Sequence, residues 1–266
     1  MRMNLNRRIW TALALMALLG PAATSWAEDN PNPPLDKGGT DQAGGTVKGV
    51  IKFDGAKKKT KPIRMNADPV CATKNEGHVI RPETYVFGKN DTLTNVLVWV
   101  SKGLEGKTFE PKGKRVIDQR GCMYVPHVQA VMVGQELEIR SSDPTLHNIK
   151  MGSKKNGNFN ISIPGGGAPK KQIFKNEEIG TLNFKCDVHP WMAAKIHVLK
   201  HPFYAITQKN GTFEIKGLPP GDYEVSVKHE FDKFKPKEKT MKVSVKEGET
   251  EDLTFTYKPP ARKKKK

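Results

Sequence analysis

Three metal-ligating side chains of different softness lie close together in Phe184-Lys185-Cys186-Asp187-Val188-His189-Pro190-Trp191-Met192. They are the thiol of Cys186, the imidazole of His189 and the thioether of Met192. Far upstream, Ser142-Asp143-Pro144-Thr145-Leu146-His147-Asn148 supplies a second imidazole. Two imidazole nitrogens and a thiolate make a trigonal plane, and a weaker thioether completes it along the axis. That donor set selects copper and serves both of its oxidation states. The competing reading makes Cys186 half of a disulfide and the histidines ordinary loop residues. The chain holds three cysteines, Cys71, Cys122 and Cys186, so they cannot all pair within it. A leftover thiol in an oxidising compartment needs a reason to stay reduced, and a bound metal supplies one.

The N-terminus points to such a compartment. Arg2, Arg7 and Arg8 precede an apolar stretch from Ile9 to Leu19, Pro21 breaks it, and Ser25-Trp26-Ala27 puts small residues at −3 and −1 of a cleavage site. Residues 1–27 therefore read as a signal peptide, with a mature chain expected to begin at Glu28 in the periplasm or outside the cell. An uncleaved anchor helix is the alternative, disfavoured by the short apolar stretch and its proline. Arg7-Arg8 leaves the export route, general secretory or twin-arginine, open. No later apolar run approaches the roughly 18 residues of a spanning helix, so no integral membrane segment is expected after signal removal.

The formal net charge is +17, and losing the three signal arginines leaves +14. The lysines are scattered through strand-like segments without a nucleic-acid motif, so nucleic-acid binding is not expected. A basic surface suits an acidic protein partner or an anionic envelope polymer. The tail Arg262-Lys263-Lys264-Lys265-Lys266 reads as a solvated end.

The elements that must position the ligands read as strands. Residues 28–45 have no hydrophobic period and read as a linker. Beyond them Val47/Ile51/Phe53, Leu137/Ile139, Leu182/Phe184/Cys186, Ile196/Val198, Phe213/Ile215, Tyr223/Val225/Val227, Met241/Val243/Val245 and Leu253/Phe255/Tyr257 alternate with polar residues. Val96-Leu97-Val98-Trp99-Val100 is continuously apolar. Short period-two runs broken by Gly, Asn, Asp and Pro indicate an all-β chain of antiparallel sandwiches. Asn210-Gly211 predicts a hairpin between Ala205-Ile206-Thr207 and Thr212-Phe213-Glu214-Ile215.

Two family resemblances organise these runs. Gly217-Leu218-Pro219-Pro220-Gly221-Asp222-Tyr223-Glu224-Val225 resembles the carboxypeptidase regulatory-like, prealbumin-type domain, a small seven-stranded sandwich. Its opening strands fit Gly45-Thr46-Val47-Lys48-Gly49-Val50-Ile51 and Asn95 to Val100. The matching pieces flank residues 101–200, which therefore read as an insertion; three consecutive β units are the alternative. The expected division is 46–100 and 201–258 for the outer domain, 101–200 for the insert and 259–266 for a basic tail.

Within the insert, residues 113–200 resemble the cupredoxin family, a Greek-key β-sandwich holding type 1 (blue) copper. The resemblance rests on Cys-x-x-His-Pro-x-Met at 186–192, which is of the amicyanin kind and shorter than plastocyanin-like loops. Met123-Tyr124-Val125-Pro126 and Val133-Gly134-Gln135-Glu136-Leu137-Glu138-Ile139, followed by Ser142-Asp143 and His147-Asn148, fit the family's upstream strands. It implies one type 1 copper on His147, Cys186, His189 and Met192, with Met192 as weak axial ligand. The ring edge of His189 would reach the surface as the electron port. Asn148 would tie the two ligand loops together and Pro190 would stiffen the second. With Cys186 given to the metal, Cys71 and Cys122 are expected to pair.

The function so implied is one-electron transfer with a redox protein partner, an acidic one by charge; copper storage or delivery is the alternative. A copper oxidase or nitrite reductase needs a second copper centre with His-x-His or His-Cys-His, and the chain has neither, so it is not expected to be an enzyme. His127, His197, His201 and His229 read as satisfied sheet or loop residues, and His78 lies in a polar stretch. Gly165-Gly166-Gly167 is a loop, without the strand-to-helix context of a phosphate cradle.

Overall fold

Period-two patterning becomes strand almost throughout. The computed structural model describes residues 37–40, 43–57 and 59–260. The signal segment 1–27, most of the 28–45 linker and residues 261–266 of the tail lie outside the described residues.

The first elements are β1 (Lys37–Gly39), β2 (Gly45–Phe53), the helix α1 (Pro69–Lys74) and β3 (Val96–Lys102). Then come β4 (Arg115–Arg120), β5 (Met123–Val125), β6 (Val128–Met132), β7 (Glu136–Ser141), β8 (His147–Gly152), β9 (Phe159–Ile163), β10 (Lys170–Ile173), β11 (Glu178–Lys185) and β12 (Ala193–Leu199). The last group is β13 (Tyr204–Ile206), β14 (Thr212–Leu218), β15 (Gly221–His229), β16 (Lys235–Pro236), β17 (Thr240–Val245) and β18 (Thr250–Lys258).

Among the described residues, strands β4 to β12 pair only among themselves, in sheets of order β10-β7-β4-β5 and β6-β12-β11-β8-β9. The strands before and after them make the other two sheets, β1-β14-β2-β18-β16 and β13-β3-β15-β17. One sandwich is thus inserted between β3 and β13 of the other. In the outer sandwich β2 runs between β14, antiparallel, and β18, parallel. Gly49 permits this close approach, because a Cβ there would lie 1.8 Å from the Leu253 carbonyl oxygen.

Two sequence expectations need correction. Lys37–Gly39, within the expected linker, forms an edge strand parallel to β14. The Asn210-Gly211 turn forms, with Gly211 at φ +76° and its amide bonded to the Gln208 carbonyl at 2.7 Å. Its flanking strands do not make a hairpin: β13 joins β3 in one sheet and β14 joins β2 in the other. The turn therefore carries the chain across the sandwich.

The apolar run in β3 is explained by burial on both faces. Val96, Val98 and Val100 enter the outer core with Val47, Ile51, Phe213, Val225 and Phe255. Leu97 and Trp99 face the other way and meet Val128, Ala130, Met132, Leu199, Tyr204 and Ile206, the apolar seam between the sandwiches. The core of the inserted sandwich includes Ile117, Tyr124, Val131, Leu137, Ile149, Leu182, Phe184 and Ile196. Residues 63–80 lie in the stretch assigned by sequence to the outer domain, yet Ile63, Met65, Cys71 and Ile80 pack into this inserted core. Among the described residues, no helix is long and apolar enough to cross a membrane.

Candidate metal centre

His147 opens β8, and Cys186 directly follows β11. These strands are antiparallel neighbours, with Lys185 opposite Lys150. The pairing brings residues about forty positions apart to the same end of the sandwich. Between β11 and β12 the chain turns back sharply: the Met192 amide donates to the His189 carbonyl at 2.9 Å and the Cys186 amide to the Met192 carbonyl at 3.3 Å. The His189 amide donates to Cys186 Sγ at 3.3 Å. Asn148 Oδ1 accepts from the amides of Asp187 and Val188, at 2.7 and 3.3 Å, and lies 3.2 Å from Cys186 Sγ. Asn148 thereby joins the His147 strand to the Cys186 loop.

His147, Cys186 and His189 offer ligand atoms within 4.8 Å of one another, and all three are buried. The Nδ1 atoms of His147 and His189 face each other at 2.8 Å, and Cys186 Sγ lies 3.8 Å from His189 Nδ1. Two imidazole nitrogens so close must share a hydrogen, one ring donating N–H to the other, or hold a metal between them, because facing lone pairs repel. Met192 is buried in the same core as Cys186. Pro190 lies in the turn between His189 and Met192, at an exposed position.

Carboxylates hold the far sides of both rings. His147 Nε2 is 3.0 Å from Asp143 Oδ2, and His189 Nε2 is 2.9 Å from Asp68 Oδ2. Asp143 also accepts from the amides of Gly121 and Cys122, at 2.8 and 2.7 Å, and from Lys74 Nζ at 2.8 Å. Gly121 and Cys122 both have left-handed φ, +62° and +58°, which turns successive amides toward one anion. Burial works against the Asp143 charge, but the bonds from His147 and Lys74 outweigh it and hold the carboxyl at about 2. Asp68 is likewise held at about 2, burial again being outweighed, here by His189 and the α1 amides. Burial also opposes charge on His147, yet Asp143 and Cys186 push it up to about 9. The Cys186 thiol is lowered despite its burial, chiefly through His147.

His189 itself departs from expectation. It is 2% exposed, not a surface edge. The segment carrying α1 covers it: Asp68 caps the helix, and Cys71 Sγ lies 3.6 Å from His189 Nε2. Cys71 and Cys122 form a disulfide, and Cys186 is free. Asn75 Nδ2 donates to the Gly121 carbonyl at 3.1 Å, and Trp191 Nε1 to the Cys122 carbonyl at 3.0 Å, closing the rim.

Asp68, Lys74 and Trp191 were absent from the sequence-derived site. The one signal was Asp68-Pro69, an N-cap followed by proline in the first helical turn, three residues before Cys71. Of the other histidines, His127 bonds Glu230 across the seam between the sandwiches at 2.5 Å. His197 accepts from the Gly180 amide at 3.1 Å and His229 from that of Phe231 at 3.0 Å. Among the described residues, none of these three joins the ligand cluster.

Residues 188–258 match the family model of the carboxypeptidase regulatory-like domain. The match runs from inside the ligand loop through β18. In the fold its β12 belongs to the inserted sandwich, and β2 and β3, outside the matched residues, complete the outer sandwich from the other side of the insert. No curated protein matches the sequence. Among solved structures, a purple cupredoxin from Nitrosopumilus maritimus is similar over 32% of this chain and 99% of its own, at 20% identity and a TM-score of 0.27. A Cu-containing nitrite reductase from Thermus scotoductus SA-01 is similar over 36% of this chain and 24% of its own, at 18% identity and a TM-score of 0.30. An amicyanin mutant in its Cu(I) form is similar over 34% and 85%, at 20% identity and a TM-score of 0.29.

Proposed function

We propose that this chain is a type 1 copper protein that carries single electrons outside the cytoplasm and is not an enzyme. The observation that carries the reading is the buried convergence of His147, His189 and Cys186, whose ligand atoms lie within 4.8 Å of one another. One copper ion would be held by these three atoms and Met192, and when bound it supplies the Cu(II)/Cu(I) couple. The chain's own residues do the rest. Asn148 and the loop amides hold Cys186 and His189 in one arrangement, which suits a site that must accept either oxidation state without rearranging. The α1 segment keeps water from the rings. Export through the signal peptide would place the protein in the periplasm or outside the cell. A net charge of +17 before processing favours an acidic redox partner.

Copper storage or delivery is the second reading, favoured by the burial of His189 under α1, since a covered ligand slows exchange of electrons more than it hinders retention of metal. One experiment separates them. The copper-loaded, oxidised protein should show an intense visible thiolate-to-copper absorption, and that band should bleach and recover rapidly with small redox proteins. An intense band that exchanges electrons too slowly for turnover would favour storage, and no band would reject the type 1 site. The rate should fall with salt for an acidic partner and rise for a basic one, because charges are screened beyond about 8 Å at physiological ionic strength.

A further inference from the structure

The two carboxylate oxygens of Asp68 do different work. Oδ1 accepts from the amides of Val70 and Cys71, at 2.8 and 3.2 Å, and caps α1. Oδ2 accepts from His189 Nε2 and from the Thr145 hydroxyl, each at 2.9 Å. A helix cap needs only a short side chain with an acceptor, and Asn or Ser serves as well as Asp. The second oxygen has a chemical consequence that capping does not require. An imidazole that donates Nε2–H to a carboxylate keeps its lone pair on Nδ1. Nδ1 is the atom that faces His147 Nδ1 at 2.8 Å and Cys186 Sγ at 3.8 Å. The other tautomer would aim the Nε2 lone pair at a carboxylate oxygen and put a proton where a ligand must be. The contact is shielded, because His189 is buried and the adjacent Cys71 is tied to Cys122. Water therefore competes poorly for the bond.

We propose that Asp68 is a positioning residue of the metal centre: it holds His189 in the tautomer that presents Nδ1 and strengthens that nitrogen toward Cu(II) more than toward Cu(I). The copper half rests on the function proposed above, whereas the tautomer half stands on the metal-free protein. Asp143 plays a similar part toward His147, but it also anchors the Gly121-Cys122 turn, so its replacement would disturb the fold. Asp68 separates the two roles, because its cap can be kept while its charge is removed.

The test uses the full chain with Asp68→Asn, and Asp68→Ser as a second variant, each retaining a capping acceptor. Nitrogen-15 NMR of the metal-free protein reads the His189 tautomer. Wild type should carry the proton on Nε2, and both variants should gain the Nδ1–H form. Competition titrations should show Cu(II) bound about 10–100-fold more weakly by the variants, with a smaller loss for Cu(I). A tenfold difference between the two losses raises the reduction potential by about 59 mV for one electron. The metal-free variants should stay folded, with a lowered unfolding midpoint because buried His189 loses its carboxylate partner. Unchanged tautomer and unchanged Cu(II) affinity would reduce Asp68 to a helix cap and overturn the proposal. If wild type takes up Cu(II) without the thiolate band, the type 1 copper reading fails by itself, and the NMR result alone supports or overturns the positioning role.

Discussion

In the outer sandwich, Phe53 packs on Phe87 and on Phe234 with ring centroids 4.8 Å apart, and Tyr85 and Phe231 extend the cluster. Between its sheets lie Val47, Ile51, Val98, Ile215, Val225 and Phe255, all apolar. The inserted sandwich has an equally apolar middle but gives one end of it to Asp143, His147, Asn148, Cys186 and His189, every one buried. Burying such groups is costly unless each finds a partner. Here the partners are largely imported: Asp68, Lys74 and Asn75 come from the segment around α1, about seventy residues or more before the ligand strands, and a disulfide fastens it down. A sandwich needs only alternation to close. A polar site inside one needs further chain to satisfy it.

The comparison can be broken most completely at Cys186. Cys186→Ser should abolish the intense visible absorption of the copper-loaded protein while the outer core stays folded, as near-UV circular dichroism would report. If the band survives, the ligand assignment is wrong. Removing the disulfide with Cys71→Ser and Cys122→Ser should cost about 4 kcal/mol on the chain-entropy model, for a sequence separation of 51. Denaturant unfolding measures the loss, and the copper spectrum should change with it because α1 leaves His189.

Ile51→Ala, in the outer core, should cost about 3 kcal/mol and leave the copper spectrum as it was. A changed spectrum would show that the two sandwiches do not divide structure from site as described.

The smallest effect concerns the seam. Burial opposes charge on His127, but Glu230 outweighs it and raises the imidazole above its ordinary 6.5. Burial opposes the charge on Glu230 too, and His127 lowers it below 4.5. The His127 contribution should be fully present below pH 6.5 and lost as pH rises through the raised value, and that of Glu230 lost only in acid. Stability should decline toward alkaline pH with a slope of at most about 1.4 kcal/mol per pH unit. Glu230→Gln should flatten that slope in thermal unfolding.

Much of this organisation was legible in the residues alone. Alternation set the strand faces in β2, β7, β11 and β14, because a strand with one buried face repeats every two residues. The ligand types and the short spacing from Cys186 to Met192 marked a loop that could bind a soft metal, since softness and number of donors are properties of the residues themselves. Strand motifs on either side of residues 101–200 suggested a division there, but carried no sign that residues 63–80 pack with the insert.

Other features were decided only by tertiary structure. Leu97 and Trp99 face a second sandwich because β3 is covered on both sides, and a continuous apolar run does not say which neighbour covers which face. The Asn210-Gly211 turn fixes a local reversal, but the sheet each flank joins depends on whether β2 and β3 have edges free to pair. His189 is buried because a distant segment lies over it; the local sequence Cys-x-x-His-Pro-x-Met contains no information about Asp68. Pairings such as Asp68 with His189 and His127 with Glu230 span 121 and 103 residues. Periodicity and spacing report what a residue can do within a few neighbours. Partnership over such distances is settled by how whole layers pack, and that packing determines which edge of His189 meets His147 and Cys186 and which meets a carboxylate.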